Sequence, residues 1–467
     1  MIGFDALADE VPGVVEADMS ATGISDVEHD SRRVGAGTLF ACIPGAVVDG
    51  HDFAADAVGA GAVTVLVERR LDVRVPQLVV ESVRRAVGPA ASLVHGTPST
   101  SIDVLGVTGT NGKTTTVRLL TALLGSLGRR VTEIGTLTGE RTTPEAPELQ
   151  RLFANAVSSG HDTVAMEVSS HALDQHRVDG TRFRVAAFTN LGIDHLDHHG
   201  DEEAYFEAKA RLFAPELSEF AAVDTTTRAG SRLVERLEIP HVVTGPQSIE
   251  MLEATSSRSR FVWRGVEVDL PLAGAFNVTN SVIAGEMLVA LGHEPELIAD
   301  RLGAVDGVPG RFETIDAGQP FSVVVDYAHT PDGLEAVLGA AREVTERRLT
   351  VVFGAGGDRD RGKRPQMGEV ARRLADVVVV TSDNPRNESP EAIISAIVSG
   401  MEEPPELIEP DRRVAIRHAL AGARAGDVIV IAGKGHETTQ TIGDQVFAFD
   451  DREVTRQELA RLGGFEA

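Results

Sequence analysis

The stretch from Asp103 to Thr114 constrains this chain more than any other. Asp103-Val104-Leu105-Gly106-Val107-Thr108 is a short apolar run of the buried-strand type. Gly109-Thr110-Asn111-Gly112 is a glycine turn, and Lys113-Thr114 opens a helical pattern that continues to about Leu127. Strand, glycine loop and helix N-terminus in that order gather backbone N–H groups, an ammonium and a hydroxyl around one point, which is what a phosphate group requires. The common spacing Gly-x-x-x-x-Gly-Lys-Thr would need glycine at position 107, where the chain has Val107; instead Gly109 stands three residues before Gly112. A strand-to-helix turn that binds nothing shares this outline. The surrounding Thr108, Thr110, Thr114 and Thr115 tilt the reading toward a nucleotide site, in which Lys113 meets phosphates and the Thr114 hydroxyl meets a metal ion.

Such a unit belongs to an α/β fold, and the rest of the chain repeats it. Val185 to Asn190 is an apolar run in which polar residues appear where it stops, as at the carboxyl end of a parallel strand. Ser322 to Asp326, Leu349 to Gly354, Val377 to Thr381 and Asp427 to Ala432 are further strand candidates, and the alternation of strand and helical pattern predicts a doubly wound sheet. Ahead of all of these, residues 1–98 hold Asp30-Ser31-Arg32-Arg33, an apolar stretch from Thr38 to Ile43 and an amphipathic stretch from Phe53 to Ala62. They end in the turn-rich Gly96 to Ser101. At 467 residues the chain exceeds one ordinary core, since domains usually run to ~100–200 residues. Three units are expected, 1–98, 99–310 and 311–467.

A formal charge of -26 with a pI near 4.9 would repel a nucleic-acid backbone, so nucleic acid is not an expected partner. Anionic substrates must then be held by a few placed cations, helix N-termini or metal ions. The lone Cys42 excludes an internal disulfide and a cysteine-held zinc site. No basic apolar leader opens the chain and no run approaches the ~20 apolar residues a membrane helix needs, so a cytoplasmic protein without membrane insertion is expected.

Two further segments carry metal chemistry. Met166-Glu167-Val168-Ser169-Ser170-His171 places Glu167 at a probable strand end, and Asn190 to His199 brings Asp194, His195, Asp197, His198 and His199 close in sequence. Mg²⁺ prefers oxygen ligands and takes few from the protein, so Thr114, Glu167 and His195 could share ions with nucleotide phosphates. A solvated histidine-rich loop is the competing reading. His198 and His199, being adjacent, are expected to point in different directions.

Taken together the motifs resemble the Mur ligases, and the likeness runs almost end to end. It is carried by Asp30-Ser31-Arg32, Asp49-Gly50-His51, Gly109 to Thr116, Thr142-Thr143-Pro144, Glu167 to His171 and Gln175-His176-Arg177. Beyond these come Asn190 to Asp197, Ala208-Lys209, Gly274 to Asn280, Gly310-Arg311, Asp326 to Pro331, Gly356 to Arg359, Asp383 to Arg386 and Gly433 to Glu437. The resemblance implies three units: one for a uridine nucleotide, a central P-loop ATPase with a mostly parallel sheet, and a C-terminal Rossmann-like unit binding an amino acid. It implies an ATP-dependent ligase, in which ATP phosphorylates the glutamate side chain of UDP-MurNAc-L-Ala-D-Glu and the amine of a diamino acid displaces phosphate. A monomer is expected.

By the same resemblance Lys113 and the loop amides hold phosphates, Thr114, Glu167 and His195 hold Mg²⁺, and Lys209 becomes carbamoylated. Sequence alone would place Lys209 on a helix surface. Asn277, Arg311 and Asp326 are the implied further ATP contacts, and Ser31, Thr142, Thr143, Ser169, Gln175 and Arg177 the implied contacts of the muramoyl dipeptide; His329 faces the same cleft. Asp383-Asn384-Pro385-Arg386 matches the branch that uses meso-diaminopimelate, whose distal carboxylate an Arg386 fork can pair with and lysine lacks. Arg359, Gly433 and Glu437 complete that implied site. Folylpolyglutamate synthase and the amidotransferase-associated relatives are the nearest alternatives: Thr142-Thr143 and Asp383 to Arg386 speak against the former, and one cysteine cannot build the zinc insertion of the latter. A non-catalytic nucleotide scaffold and a ligase for L-lysine remain as alternatives.

Overall fold

The computed structural model describes residues 1–463 apart from 46 and 256. Near the N-terminus, strands β1 (Val14–Ala17), β2 (Asp26–Glu28), β3 (Thr38–Ala41), β4 (Ala62–Val67) and β5 (Gln77–Val80) form one sheet in the order β1-β5-β4-β3-β2. All its neighbours run parallel except β1 and β5. Helix α1 (Val83–Val94) buries its apolar stripe, Val83, Val87, Ala90, Ala91 and Val94, against that sheet.

The second sheet is six-stranded and wholly parallel. It comprises β6 (Asp103–Thr108), β7 (Val131–Ile134), β8 (Thr163–Glu167), β9 (Val185–Phe188), β10 (Ala221–Asp224) and β11 (His241–Thr244), ordered β11-β10-β9-β6-β8-β7. Helices α2 (Lys113–Ser126), α3 (Ala146–Ser158) and α4 (Glu202–Ala210) lie within this unit. Because β6 sits between β9 and β8, the chain reverses direction of winding beside it, and the crevice beyond the carboxyl ends of those three strands is where such sheets take ligands. Unforeseen from sequence is an antiparallel sheet of β12 (Ile249–Ala254), β13 (Ser259–Trp263) and β14 (Val266–Leu270). The signal lay in β14, where Val266-Glu267-Val268-Asp269-Leu270 alternates apolar and polar, while β12 is exposed almost throughout and gives none. Helix α5 (Ala275–Ala290) is buried along most of its length, its Val278, Val282, Ile283, Met287 and Leu288 joining the core of α2.

The third sheet holds β15 (Glu313–Thr314), β16 (Ser322–Asp326), β17 (Leu349–Phe353), β18 (Val377–Val380), β19 (Leu407–Ile408) and β20 (Val428–Ala432), ordered β15-β16-β20-β17-β18-β19 and parallel but for β15. Helices α6 (Pro331–Glu343), α7 (Lys363–Leu374) and α8 (Arg412–Ala421) cover it, which is why β18 is four valines rather than an alternating strand. A hairpin of β21 (Thr439–Ile442) and β22 (Gln445–Ala448) and a last helix α9 (Asp451–Gly463) follow. The α/β class and the strand positions read from sequence agree with these elements to within a residue or two.

The first two sheets are joined tightly. A Cβ on Gly88 would overlap the Asp179 carbonyl, and Gly180 stands against the Gly88 backbone with φ +81. Beside them Arg151 on α3 donates to both Asp26 carboxylate oxygens, to Val27 O and to Glu28. No helix among the described residues is long and apolar enough to cross a membrane.

Candidate active site

The loop after β6 is shaped by glycine at two points. Gly109 has φ +150 and a Cβ there would overlap Thr189 Oγ1; Gly112 has φ +87 and a Cβ would overlap Asn280 Oδ1. The end of β9 staples the loop: Asn111 N donates to Asn190 Oδ1 at 2.9 Å, Thr110 N to Asn190 O at 3.0 Å, and Thr189 Oγ1 to Asn111 O at 2.6 Å. Val107, where the common spacing wants glycine, is a fully buried residue of β6 in register with Glu167. The loop therefore starts later and is shorter, while Lys113 and Thr114 keep their places at the start of α2. Lys113 Nζ folds back onto Gly109 O at 2.8 Å and Thr110 O at 2.9 Å. Burial lowers its pKa, with Glu167 and Asp194 opposing that shift.

Thr114 Oγ1 donates to Glu167 Oε2 at 3.0 Å, and Thr136 N donates to Glu167 Oε1 at 2.8 Å. Arg311, from the junction with the third sheet, reaches Thr114 Oγ1 at 3.0 Å and lies 4.4 Å from the Tyr327 ring centroid. His195 has φ +56 and its Nε2 is 3.4 Å from Asp194 Oδ2; burial brings its pKa down to about 4. His198 and His199 do not diverge as adjacency suggested. The short helix Leu196–His199 lies over His171, whose ring stacks on His198 at 4.1 Å and meets His199 edge-on at 5.5 Å. No group of three or more His, Cys, Asp and Glu that could hold a metal occurs among the described residues.

Lys209 corrects the surface reading outright: it is 1% exposed, its Nζ donates to Gly109 O at 2.9 Å and it sits 4.4 Å from the Tyr205 ring. Helix α4 packs this face on the glycine loop, and a short helix with Glu202, Glu203 and Glu207 around one lysine gives no hint of that. Burial, with Lys113 beside it on the same carbonyl, drives the Lys209 pKa far below its usual value.

Two cavities meet at this loop. One, of about 540 Å³, is lined by Asn111, Gly112, Thr115 and Asn280 on one side and by Asp326, Tyr327 and His329 on the other. Asn277 lies behind it, 1% exposed and donating to Ala273 O, so Asn280, one helical turn on, is the asparagine that faces the space. The i, i+3 spacing of the two was the available signal. Asp326 accepts from Phe312 N at 2.6 Å and Ala328 N at 2.7 Å, and burial raises its pKa.

The other cavity, of about 480 Å³, runs from the second unit to the third. Lys113, Thr114, Thr142, Glu167, Ser169 and His195 line one wall. Arg359, Asp383, Asn384, Arg386, Gly433 and Glu437 line the facing one. Asn384 Nδ2 donates to Glu437 Oε2 at 2.8 Å, and Arg386 Nη1 to Gly357 O at 2.7 Å. Lys434, which sequence reading passed over inside Gly433 to Glu437, is fully buried and bonds Glu437 at 3.0 Å and Asn384 at 3.3 Å. Lys363, also missed, lines the same cleft 3.9 Å from Asp194.

Thr143, Gln175 and Arg177 form a frame behind that wall. Thr143 Oγ1 donates to Glu167 O and accepts from Ser169 N, while Arg177 bonds Thr143 O, Gln175 Oε1 and Glu145. Ser31 opens a 3-10 turn at a third cavity, of about 400 Å³, whose walls include its neighbours Asp30 and Arg32 and, from the second unit, Thr138 and Arg141. Pro385 opens a turn through Arg386 and Asn387, closed by Glu388 N donating to Pro385 O at 3.1 Å. The glycine loop, the Thr114–Glu167 hydroxyl–carboxylate pair and the wall of Arg359, Asp383, Asn384, Arg386 and Glu437 thus face one another across a single cleft.

Comparison with known proteins extends this. Residues 107–288 match the Mur ligase middle domain, 310–435 the Mur ligase glutamate ligase domain, and 23–96 the Mur ligase family catalytic domain. The chain is 43% identical to the UDP-N-acetylmuramoyl-L-alanyl-D-glutamate–2,6-diaminopimelate ligase of Streptomyces avermitilis, over 96% of this chain and 94% of that one. It is also 43% identical to the same-named ligase of Geobacillus kaustophilus, over 94% and 95%. A solved structure of a UDP-N-acetylmuramoyl-L-alanyl-D-glutamate–2,6-diaminopimelate ligase superposes with a TM-score of 0.71 at 31% identity, covering 98% of this chain and 99% of that one. A MurF ligase from Thermotoga maritima in complex with ADP shares the fold, with a TM-score of 0.67 at 19% identity over 95% and 99%.

Proposed function

This chain belongs to the Mur ligase family, and from that premise we infer that it is an ATP-dependent amide-bond-forming ligase of peptidoglycan precursor synthesis, joining meso-diaminopimelate to the D-glutamate side-chain carboxylate of UDP-MurNAc-L-Ala-D-Glu. The observation that carries the reading is the 480 Å³ cleft, which sets Lys113, Thr114 and Glu167 opposite Asn384, Arg386 and Glu437. The reading divides the chain at 98/99 and 310/311, with the uridine nucleotide against the first unit near Ser31, ATP on the second, and the amine against the third.

A carboxylate is a poor acyl donor until an oxygen becomes a good leaving group. The γ-phosphoryl group of ATP supplies one, giving an acyl phosphate and ADP; the amine nitrogen then attacks the acyl carbon and inorganic phosphate leaves. The protein's part is positioning and charge. Lys113 and the backbone N–H groups at the start of α2, Lys113 to Thr115, receive the phosphates, while Thr110 N and Asn111 N hold the loop onto Asn190. Arg311, already on Thr114 Oγ1, brings a second cation from the junction, and Asn280 and Asp326 line the nucleotide side with Asn277 buried behind them. Thr142 and Ser169, braced by Thr143, Gln175 and Arg177, face the dipeptide.

The residues fit Mg²⁺: Thr114 offers a hydroxyl oxygen and Glu167 a carboxylate, with His195 on the same wall, and Mg²⁺ takes few protein ligands when phosphates supply the rest. Bound there, the ion would neutralise phosphate charge during transfer. Lys209 fits carbamoylation. Its buried amine, whose pKa is lowered by burial and by Lys113 beside it, is readied to take up CO₂, which would replace an amine beside the loop with an oxygen anion.

On the amine side, Arg386 offers a guanidinium to the distal carboxylate of diaminopimelate, Glu437 and the Gly433 loop face its distal ammonium, and Arg359 and Asp383-Asn384-Pro385 complete the wall. Phosphate release measured with UDP-MurNAc-L-Ala-D-Glu, ATP and either meso-diaminopimelate or L-lysine tests this. Release is expected with meso-diaminopimelate and markedly weaker with L-lysine, which lacks the carboxylate that the half-buried Arg386 would pair with; a site built to bond a substrate group rejects the analogue without it by up to ~10⁴-fold when that site is dry. Equal rates would overturn the role of Arg386 and favour the lysine-adding reading.

A further inference from the structure

The third sheet is complete at β20, yet the chain then builds the separate hairpin β21–β22, which pairs with no strand of that sheet. Every side chain of β22 is exposed, and in β21 only Gln440 is buried. A two-stranded ribbon of this kind is marginal by itself in water, so what it bonds to explains why it is there.

Those bonds converge on Asp383 to Arg386. Gln440 Nε2 donates to Asp383 O at 2.7 Å and Thr441 N to Asn384 Oδ1 at 3.0 Å. Arg386 N donates to Thr441 O at 3.1 Å, and Gly443 N donates to Arg386 O at 2.7 Å. Lys434 Nζ closes the ring onto Thr439 O at 2.6 Å. Arg386 itself has φ +51, a left-handed conformation that a non-glycine residue keeps only when its surroundings fix it. Both of its backbone polar groups are held by the hairpin. From that backbone the guanidinium reaches the Gly356–Gly357 loop at the mouth of the cleft, where Nη1 meets Gly357 O.

We propose that the hairpin β21–β22, anchored by Gln440, is a positioning element for acceptor selectivity: it locks Arg386 in the left-handed conformation that aims its guanidinium at the distal carboxylate of the diamino acid. The proposal rests on the reading of Arg386 given above. Gln440 makes no contact with the reacting atoms in this scheme; it acts through Asp383 and Arg386.

The test is steady-state kinetics on full-length Gln440→Ala, the near-isosteric Gln440→Glu, Gly443→Pro, which removes both the N–H that bonds Arg386 O and the φ +57 turn that proline cannot adopt, and Arg386→Ala as control. For both Gln440 variants KM for meso-diaminopimelate is expected to rise about tenfold, equivalent to about 1.4 kcal/mol. The preference for meso-diaminopimelate over L-lysine in kcat/KM should fall by a similar factor, with KM for ATP and for UDP-MurNAc-L-Ala-D-Glu within about twofold. Gly443→Pro should lose at least as much. If Arg386→Ala erases the preference while the Gln440 and Gly443 variants keep it, the hairpin proposal is overturned and the reading of Arg386 stands. If Arg386→Ala keeps the preference, that reading fails and the proposal with it. A parallel rise in all three KM values would mark a merely structural hairpin and would also overturn the proposal.

Discussion

Arg412 and Asp451 form an ion pair in which both side chains are 0% exposed. Arg412 Nε and Nη2 each donate to an Asp451 oxygen at 2.7 Å, Nη2 also donates to Ala432 O at 2.9 Å, and Nη1 to Ser382 O at 3.3 Å. Ser382 and Ala432 immediately precede Asp383 and Gly433, so one guanidinium ties together the two segments that carry the wall proposed to bind the amine. Replacing Arg412 with Met fills much of the stem's volume but strands a carboxylate in a dry site, and breaking a buried pair from one side costs about 3–5 kcal/mol. At about 2–4 °C per kcal/mol for a unit of this size, the melting transition of the C-terminal unit should fall by roughly 6–20 °C. Differential scanning calorimetry of Arg412→Met, Asp451→Leu and the double variant reads this directly. The double variant should recover most of the loss, because an apolar pair no longer buries a lone charge. Its KM for meso-diaminopimelate should stay raised, since the bonds to Ser382 O and Ala432 O are still missing. A loss below about 1 kcal/mol in Arg412→Met, or a double variant as unstable as the sum of the singles, would refute the reasoning.

Two further outcomes follow from the site. Gly112→Ala puts a Cβ into Asn280 Oδ1 at a residue with φ +87, so ATP affinity by isothermal titration should drop at least about tenfold; unchanged affinity would show that the loop can relax. His329 is held near pKa 4 mainly by burial, with Lys363 adding to the effect, whereas an unfolded histidine titrates near ~6.5. Between those values the unfolded chain takes up a proton that the folded one refuses. The contribution of neutral His329 is thus complete above pH ~6.5 and is lost as the pH falls toward 4, about 2 kcal/mol by pH ~5. Urea midpoints at pH 7.5 and 5.0 should differ less in His329→Gln than in the parent, and an equal difference in both would contradict this.

The sequence by itself determined the local pieces. Val104 to Thr108, Val185 to Phe188 and Val377 to Val380 are strands because apolar β-branched runs of that length, bounded by Gly, Asn and Asp, have few other ways to be buried. Gly109, Gly112, Lys113 and Thr114 were legible as a phosphate loop because their chemistry is contiguous. What depended on neighbours distant in sequence was decided only by the tertiary structure. Lys209 is buried because α4 docks on a loop a hundred residues earlier, and no property of residues 202–210 announces that partner. His198 and His199 converge because His171 lies beneath them, and Asn280 rather than Asn277 faces the 540 Å³ cavity because of how α5 is rotated against α2. The hairpin that grips Arg386 reads as an exposed ribbon in sequence; only its hydrogen bonds to Asp383, Asn384 and Arg386 join it to that wall of the cleft. Periodicity encodes which face of an element is buried; only packing fixes which other element meets it, and in this ligase the opposed walls of the cleft come from such meetings.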